Sequence, residues 1–444
     1  MTDLLDRWFH FRARGSSLRL EVLGGVTTFA TMAYIIIVNP AILQHAGIAV
    51  EPSTIATILA SVFGCLLMGI YANRPLGVAP YMGENAFIAY TLSAMAMPIT
   101  WQQRLGSVFV AGVIFLLLTL CGSRLWLASA IPHNLKHSFA IGIGLFLLFI
   151  GMNEAGLVVH GPPPPGPPVR IGDVHDVKVQ LALGGFVLIA VLMYWNIRGA
   201  ILIGIAVIGV AGYLLNVGQA PVGIAAWPWQ YQLENVAFQL DILGVLQFDF
   251  LTILLTLFLF SFLDTLGSLY AVGSVAGMLD DKGNLVDVQK PMIVDSLSCI
   301  FSALIGTSTS GAFIESATGI REGARTGLAA VVTGLCFAFA LFFVPLLQPL
   351  QKFAFAYAPA LMVVGVLMFA NVRRLDTDDW TELVPAVVTI AMMVFTYNIA
   401  NGLTAGLIAH PSLKLLCGQW RAIHPGSALL AVMCLLYFLY GNVH

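Results

Sequence analysis

Gly77-Val78-Ala79-Pro80-Tyr81-Met82-Gly83-Glu84-Asn85-Ala86-Phe87-Ile88 is an apolar stretch that cannot run as one uniform helix, because Gly77, Pro80 and Gly83 interrupt it. Its last three residues recur as Ala312-Phe313-Ile314, 226 positions later, in a chain whose half length is 222. Gly306 and Gly311 precede the second copy, so it too lies in a short, glycine-interrupted segment. Irregular backbone at membrane depth is tolerated only where protein or a wet cavity satisfies it. Two such stretches at matching places in two halves therefore point to a binding site between them.

The membrane setting follows from composition. Of 444 residues, 59% are hydrophobic and 9% charged, and the mean hydropathy is +0.90. Soluble domains carry roughly 25% charged residues, so this chain cannot clothe a globule in solvated side chains. At roughly 20 apolar residues per crossing, it has room for about 12 to 14 spans. A net charge of -2 without a basic run excludes a nucleic-acid partner. The six cysteines lie in apolar segments with no C-x-x-C pair, which reads as packing rather than a disulfide framework or a metal site. The first twenty residues lack a signal-peptide core.

Apolar runs divide the chain into seven segments per half. The first half reads 21–43, 54–71, 77–97, 105–120, 139–152, 179–194 and 200–215; the second reads 250–272, 291–304, 308–320, 327–347, 357–369, 384–408 and 428–440. The run 384–408 is either one long helix or a broken one. With an odd number of crossings per half, a second half that resembles the first runs the opposite way through the membrane. The expected fold is an all-α integral membrane protein of about 14 segments in two inverted seven-segment repeats, with segments 3 and 10 short and broken. Sorting Lys and Arg by loop sets fourteen, including Arg74, Arg124, Lys136, Arg198, Lys282, Arg373 and Arg374, on the side of the N-terminus. Six fall opposite: Arg104, Arg170, Lys178, Lys352, Lys414 and Arg421. This places both termini in the cytoplasm of a multi-pass protein of the cell membrane, and the proline run Pro162 to Pro168 outside as a stiff polyproline-II turn.

Four acids stand in apolar runs, where a charge at the centre of a spanning helix costs roughly 2.5 to 3.5 kcal/mol. Asp264 shares a helix face with Ser261 and Ser268, and serves either a ligand or neighbouring backbone N–H groups. Glu315 follows Gly311 near the start of a short helix, where it binds an anion-seeking donor or caps the helix. Glu84, beside Asn85, is either a second ligand group or the partner of Arg74 or another base. Asp295 reads as support for the broken stretches. Thr307, Ser308, Thr309 and Ser310 offer hydroxyls to close the interrupted backbone, and Arg321, Glu322 and Arg325 read as a cytoplasmic loop cluster.

At these residues the chain resembles the AzgA-like purine permease branch of the nucleobase-ascorbate (nucleobase/cation symporter-2) transporters. The likeness runs through Gly24-Gly25-Val26-Thr27-Thr28-Phe29, Met32-Ala33-Tyr34-Ile35, Val38-Asn39-Pro40, Ala79 to Ala86, Leu263 to Ser268, Gly306 to Thr309, Ile314 to Gly319 and Arg325-Thr326-Gly327. The resemblance implies a core domain (1–124 and 245–350) and a gate domain (125–244 and 351–444), with substrate between short strands of segments 3 and 10. It carries site roles to Asp264, Glu315, Asn85 and Asp295, and implies a homodimer. Two departures stand out: Ser261 where many relatives have an acid, and Tyr81 and Glu84 where many have a glycine and an aliphatic residue.

A purine offers adjacent N–H donors along its edges, and a carboxylate accepting two of them is a selective partner. The expected site is therefore Glu315, Asp264, Asn85, Glu84 and Ser268, with Phe87, Phe262 or Phe313 stacked on the base. Asp264, Asp295, Glu315, Thr307 and Thr309 handle or support the coupling ion, a proton, with sodium as the other option. No cofactor or resident metal is expected. The anticipated activity is import of guanine, hypoxanthine or adenine by an elevator-like symporter. The rival readings are an anion transporter of the same fold, a uracil or xanthine permease, a channel, and a membrane-embedded enzyme. Asp264-Thr265-Leu266-Gly267 lacks the lysine of an aspartyl-phosphate loop, and Asp280-Asp281 has no partner motif.

Overall fold

A computed structural model describes residues 2–93, 95, 98–122, 130–162, 166–221, 223–247, 250–276 and 288–440. Arg124, Pro163 to Pro165 and Asp280 to Lys282, used in the readings above, lie outside the described residues. Among the described residues, seven helices are long and apolar enough to cross a membrane: 18–46, 50–70, 101–120, 133–154, 177–194, 327–352 and 354–374. Shorter apolar helices include Ala200–Leu214 and Trp380–Phe395, and a helix of 26 residues runs Leu251–Ala276.

Two sets of helices pack with the same exchange of partners. In one, His133–Glu154 lies on Ala354–Phe369, His133–Glu154 also on Trp380–Phe395, and Ala354–Phe369 on Val177–Tyr194. The helices Ala200–Leu214 and Ile399–Leu416 complete it, each beside its own neighbour in sequence. In the other, Gly327–Ala340 packs on Leu18–Met32 and Val50–Ile70, while Trp101–Leu120 packs on Leu251–Ala276 and Gln289–Ile305. Small residues bring the backbones together without any hydrophobic drive from lipid. At Gly144 a Cβ would lie 2.7 Å from the carbonyl of Gly365, and at Gly365 one would lie 2.5 Å from that of Gly144.

Where the sequence left 384–408 open, the chain is broken. Thr396 turns its hydroxyl back on the Met392 carbonyl at 2.6 Å, Tyr397 takes φ 51°, and Asn398 caps the next helix by accepting from the Asn401 N–H at 3.2 Å. The second half thus holds one helix more than expected, and Pro425–Tyr440 follows Ile399–Leu416 as an addition. This departs from the charge count, which set Lys414 and Arg421 opposite Arg373 and Arg374. Lys414 Nζ is 2.9 Å from Glu382 and 3.7 Å from Asp379, at the same end as Arg373 and Arg374. Ala422, next to Arg421, lines a cavity there with Asp379.

Val158–His160 and Val169–Ile171, which flank the proline run in sequence, pair as antiparallel strands. The two helix sets meet around Glu154. Its carboxylate accepts from Tyr357 at 3.1 Å and Tyr90 at 3.4 Å, and lies 3.4 Å from His45.

Candidate functional site

The interrupted stretches become two short strands that meet inside the protein. Val78–Pro80 pairs antiparallel with Ser310–Ala312 in the register Val78↔Ala312, Ala79↔Gly311 and Pro80↔Ser310, all buried. The ladder extends at both ends, Tyr81 donating its N–H to Thr309 and Phe313 to Gly77, each at 2.9 Å. Other buried donors complete the backbone. The Cys65 thiol donates to the Val78 carbonyl at 3.4 Å and the Cys299 thiol to that of Ser310 at 3.1 Å; these two cysteines therefore do more than pack. Ser316 Oγ accepts the Gly77 N–H at 2.9 Å.

Short helices leave the crossing, Met82–Ala86 after the first strand and Ser316–Arg321 after the second, and Leu251–Ala276 lies against both. This arrangement gathers Glu84, Asp264 and Asp295 around Tyr81, with Glu315 at the start of the short helix that packs on Leu251–Ala276. Asp264 and Glu315 are partly accessible although deep in the protein. Glu315 precedes Ser316–Arg321 but makes no capping bond to it; instead it accepts from Tyr34 Oη at 2.9 Å. Tyr34 sits at the break between Leu18–Met32 and Ile35–Leu43. Glu84 is wholly buried, does not reach Arg74, and neither of its oxygens finds a donor. The polar side chains facing it are Asp264 and Ser261.

Asn85 is also wholly buried, and its amide is already engaged: it donates to Asn39 Oδ1 and accepts from Ser308 Oγ. Asn39 in turn donates to Thr57 at 2.6 Å and to Thr307 at 2.9 Å. Asn85 and Thr307 thus tie segments 1, 2, 3 and 10 together. The Thr309 hydroxyl is buried without a partner. Asp295 accepts from Tyr81 Oη at 3.4 Å, and that hydroxyl is also 3.4 Å from Thr265 Oγ1. Ser268 lies one turn beyond Asp264 and is partly accessible.

The aromatic candidates separate. Phe313 stacks on Tyr81 with centroids 6.1 Å apart. Phe87 packs edge-on against Phe260, and Phe262 stacks on Phe258; both are 0% exposed.

Sequence reasoning missed Tyr34, Asn39 and Glu21. Glu21 is fully buried and accepts the N–H groups of Arg325 at 2.9 Å and Thr326 at 3.3 Å, fixing the loop after the second half-helix. Arg325 spends its guanidinium on the carbonyls of Ile320 and Ala324, and Glu322 pairs with Arg198. Arg104 is buried and donates to Ile88 O at 2.7 Å and Ser93 Oγ at 2.8 Å, holding the end of segment 3. A cavity of about 420 Å³ lies away from the crossing, lined by His133, Asp376, Asp379, Glu382, His410 and His424 among others.

Among known proteins, the chain is similar to a putative permease of Methanocaldococcus jannaschii, with 41% identity over 98% of each chain. It is 35% identical to the adenine permease AdeP of Escherichia coli over 99% of this chain and 97% of that one. To the guanine/hypoxanthine permease PbuO of Bacillus subtilis it is 36% identical over 97% and 99%. The fold is similar to the transmembrane domain of the cyanobacterial bicarbonate transporter BicA, with TM-score 0.62 and 16% identity over 88% of this chain and 97% of that one. It is also similar to SLC26A9, with TM-score 0.60 and 12% identity over 90% and 66%. Residues 19–404 match the sequence model of a xanthine/uracil permease family, described simply as a permease family. With that match and full-length relatives above 30% identity, the chain belongs to this permease family, as its AzgA-like motifs anticipated.

Proposed function

We propose that the chain is a secondary transporter of purine nucleobases, adenine or the guanine and hypoxanthine pair, driven by proton symport. The observation that carries this reading is that Asp264 and Glu315, two partly accessible carboxyl groups, stand on Leu251–Ala276 and at the start of Ser316–Arg321, helices that pack on each other beside a buried strand crossing. Acceptor-only groups suit the N–H edges of a purine and repel sulfate or bicarbonate, which disfavours the anion reading despite the shared fold. Glu315, oriented by Tyr34, accepts from one edge of the base and Asp264 from another. Ser268 lies within the same helix face, Phe313 and Tyr81 offer the flat surface nearest these acids, and Asp295 supports Tyr81. Asn85, Thr307 and Thr309 hold the scaffold.

In this reading the exchange of helix partners reflects two inverted seven-segment repeats, the second ending at Leu416 with Pro425–Tyr440 outside it. Segments 1–4 and 8–11 form the core and the rest the gate, which slide past each other as an elevator in each half of a homodimer. With the N-terminus cytoplasmic, Lys414 and Arg421 join the cytoplasmic side and only Arg104, Arg170, Lys178 and Lys352 remain outside, which strengthens the positive-inside bias.

The test is uptake of radiolabelled adenine, guanine and hypoxanthine by wild type, Glu315→Gln and Asp264→Asn at matched membrane levels. Both variants lose at least about tenfold in uptake, the cost of one charge-assisted hydrogen bond. Wild-type rates in both, or transport of bicarbonate rather than any purine, would overturn the proposal.

A further inference from the structure

Glu84 is the least explained group in the molecule. It is 0% exposed, and both of its carboxyl oxygens lack a donor. The side chain nearest in chemistry is another carboxyl, that of Asp264, on a different element. A Cβ built on Gly83 would come within 3.8 Å of Asp264 Oδ2, so the first turn after the strand and the middle of Leu251–Ala276 are in close apposition. The hydroxyls around the two acids belong to Ser261 and Tyr81, and the other titratable groups facing Glu84 are Tyr81 and Cys299, each of which also faces Asp295. Against the remaining side of this turn stands Ile143. Among the described residues neither Glu84 nor Asp264 forms an ion pair.

Two ionised carboxylates side by side in a low-dielectric interior repel each other, and neither can donate to the other. A single shared proton turns repulsion into a strong hydrogen bond, and the pair then titrates as a unit. Asp264 is the member with access to the site, and Glu84 the member sealed behind it.

We propose that Glu84 and Asp264 form one proton-carrying unit, which takes up a proton with each substrate molecule and gives it back on the other side of the membrane. The inference rests on the purine reading above and names the coupling group within it. While the site is open, water solvates Asp264 and lets the pair ionise. A base entering the site displaces that water, and the pair then needs a proton from the entry side. Glu84 holds it as a carboxylic acid and donates to one oxygen of Asp264, leaving the other to accept a purine N–H. When the base leaves, water returns and the proton departs to the exit side.

The experiment is calorimetric titration of the purified full chain with adenine and with hypoxanthine, in buffers of differing ionisation enthalpy, which counts protons bound per purine. Wild type takes up about one proton per purine near neutral pH. Glu84→Gln, normalised to purine bound, takes up close to none, and its affinity no longer varies with pH. Glu84→Asp, which keeps the titratable group, retains the stoichiometry and shifts its pH midpoint. Wild type binding purine without proton uptake, or Glu84→Gln binding it with the wild-type count, overturns the proposal. If Glu84→Gln cannot be purified, an unshifted midpoint in Glu84→Asp overturns it equally. Wild type binding neither purine overturns the substrate reading, a result distinct from all of these.

Discussion

Tyr34 donates its hydroxyl to Glu315 at 2.9 Å across 281 residues of sequence, joining the break in the first helix to the start of the second half-helix. The bond fixes which way the Glu315 carboxylate points. Tyr34→Phe should therefore leave the protein folded and raise KM for purine uptake by about tenfold, as expected for one hydrogen bond to a charged acceptor. Uptake kinetics at matched expression read this, and an unchanged KM would show that Glu315 needs no such orientation.

The glycine contact between His133–Glu154 and Ala354–Phe369 leaves no room for a side chain. Gly365→Val should lower stability by about 1–3 kcal/mol, the usual cost of overpacking, visible as an earlier thermal transition in detergent. Gly184, where a Cβ would meet nothing within 4 Å, is the control: Gly184→Ala should leave the transition nearly unmoved.

The break at Tyr397 returns the chain to the end where Lys414 meets Asp379 and Glu382, which in the reading proposed above is the cytoplasmic side. Cys417 is exposed, as is Cys121 at the end of Trp101–Leu120. A membrane-impermeant maleimide should label neither in intact cells and both after permeabilisation, with single-cysteine versions of the chain separating the two. Labelling of Cys417 from outside would restore the assignment made from charge counting alone.

Asp379 precedes the helix Trp380–Phe395 and accepts from the Thr381 hydroxyl at 2.7 Å and N–H at 2.8 Å. These bonds, with Lys414 adding a smaller share, hold its carboxyl below the ordinary value. A depressed folded-state value means the contribution is present above the unfolded value near 4 and lost as pH falls through the folded one. Thermal transitions measured from pH 6 down to 3 should fall for wild type more than for Asp379→Asn, modestly because the site is open to solvent.

How far the sequence reveals this site depends on the kind of signal. Acids inside apolar runs are conspicuous because each carries a transfer cost, so Asp264, Glu315, Glu84 and Asp295 are all legible. Glycine and proline betray the strand crossing for a similar reason. Tyr34 and Asn39 look like ordinary members of a long apolar helix, and only the fold reveals that they face groups over 250 residues away. The sequence leaves 384–408 open between one long helix and a broken one, because a tyrosine in the left-handed region leaves no compositional mark and the apolar pattern runs on across Thr396–Asn398. Phe87 and Phe262 show the opposite problem, since composition cannot tell a stacking ring from a core one.

Glu154 gathers His45 and Tyr90 from one set of helices and Tyr357 from the other. In the elevator reading proposed above, sliding of the two sets must first strip this carboxylate of His45 and Tyr90, so the knot acts as a catch whose strength enters the activation barrier of the cycle rather than the affinity for cargo. Loosening it by Tyr90→Phe would quicken turnover in the direction that opens this end, making the cluster a governor of speed set apart from the groups that choose what is carried.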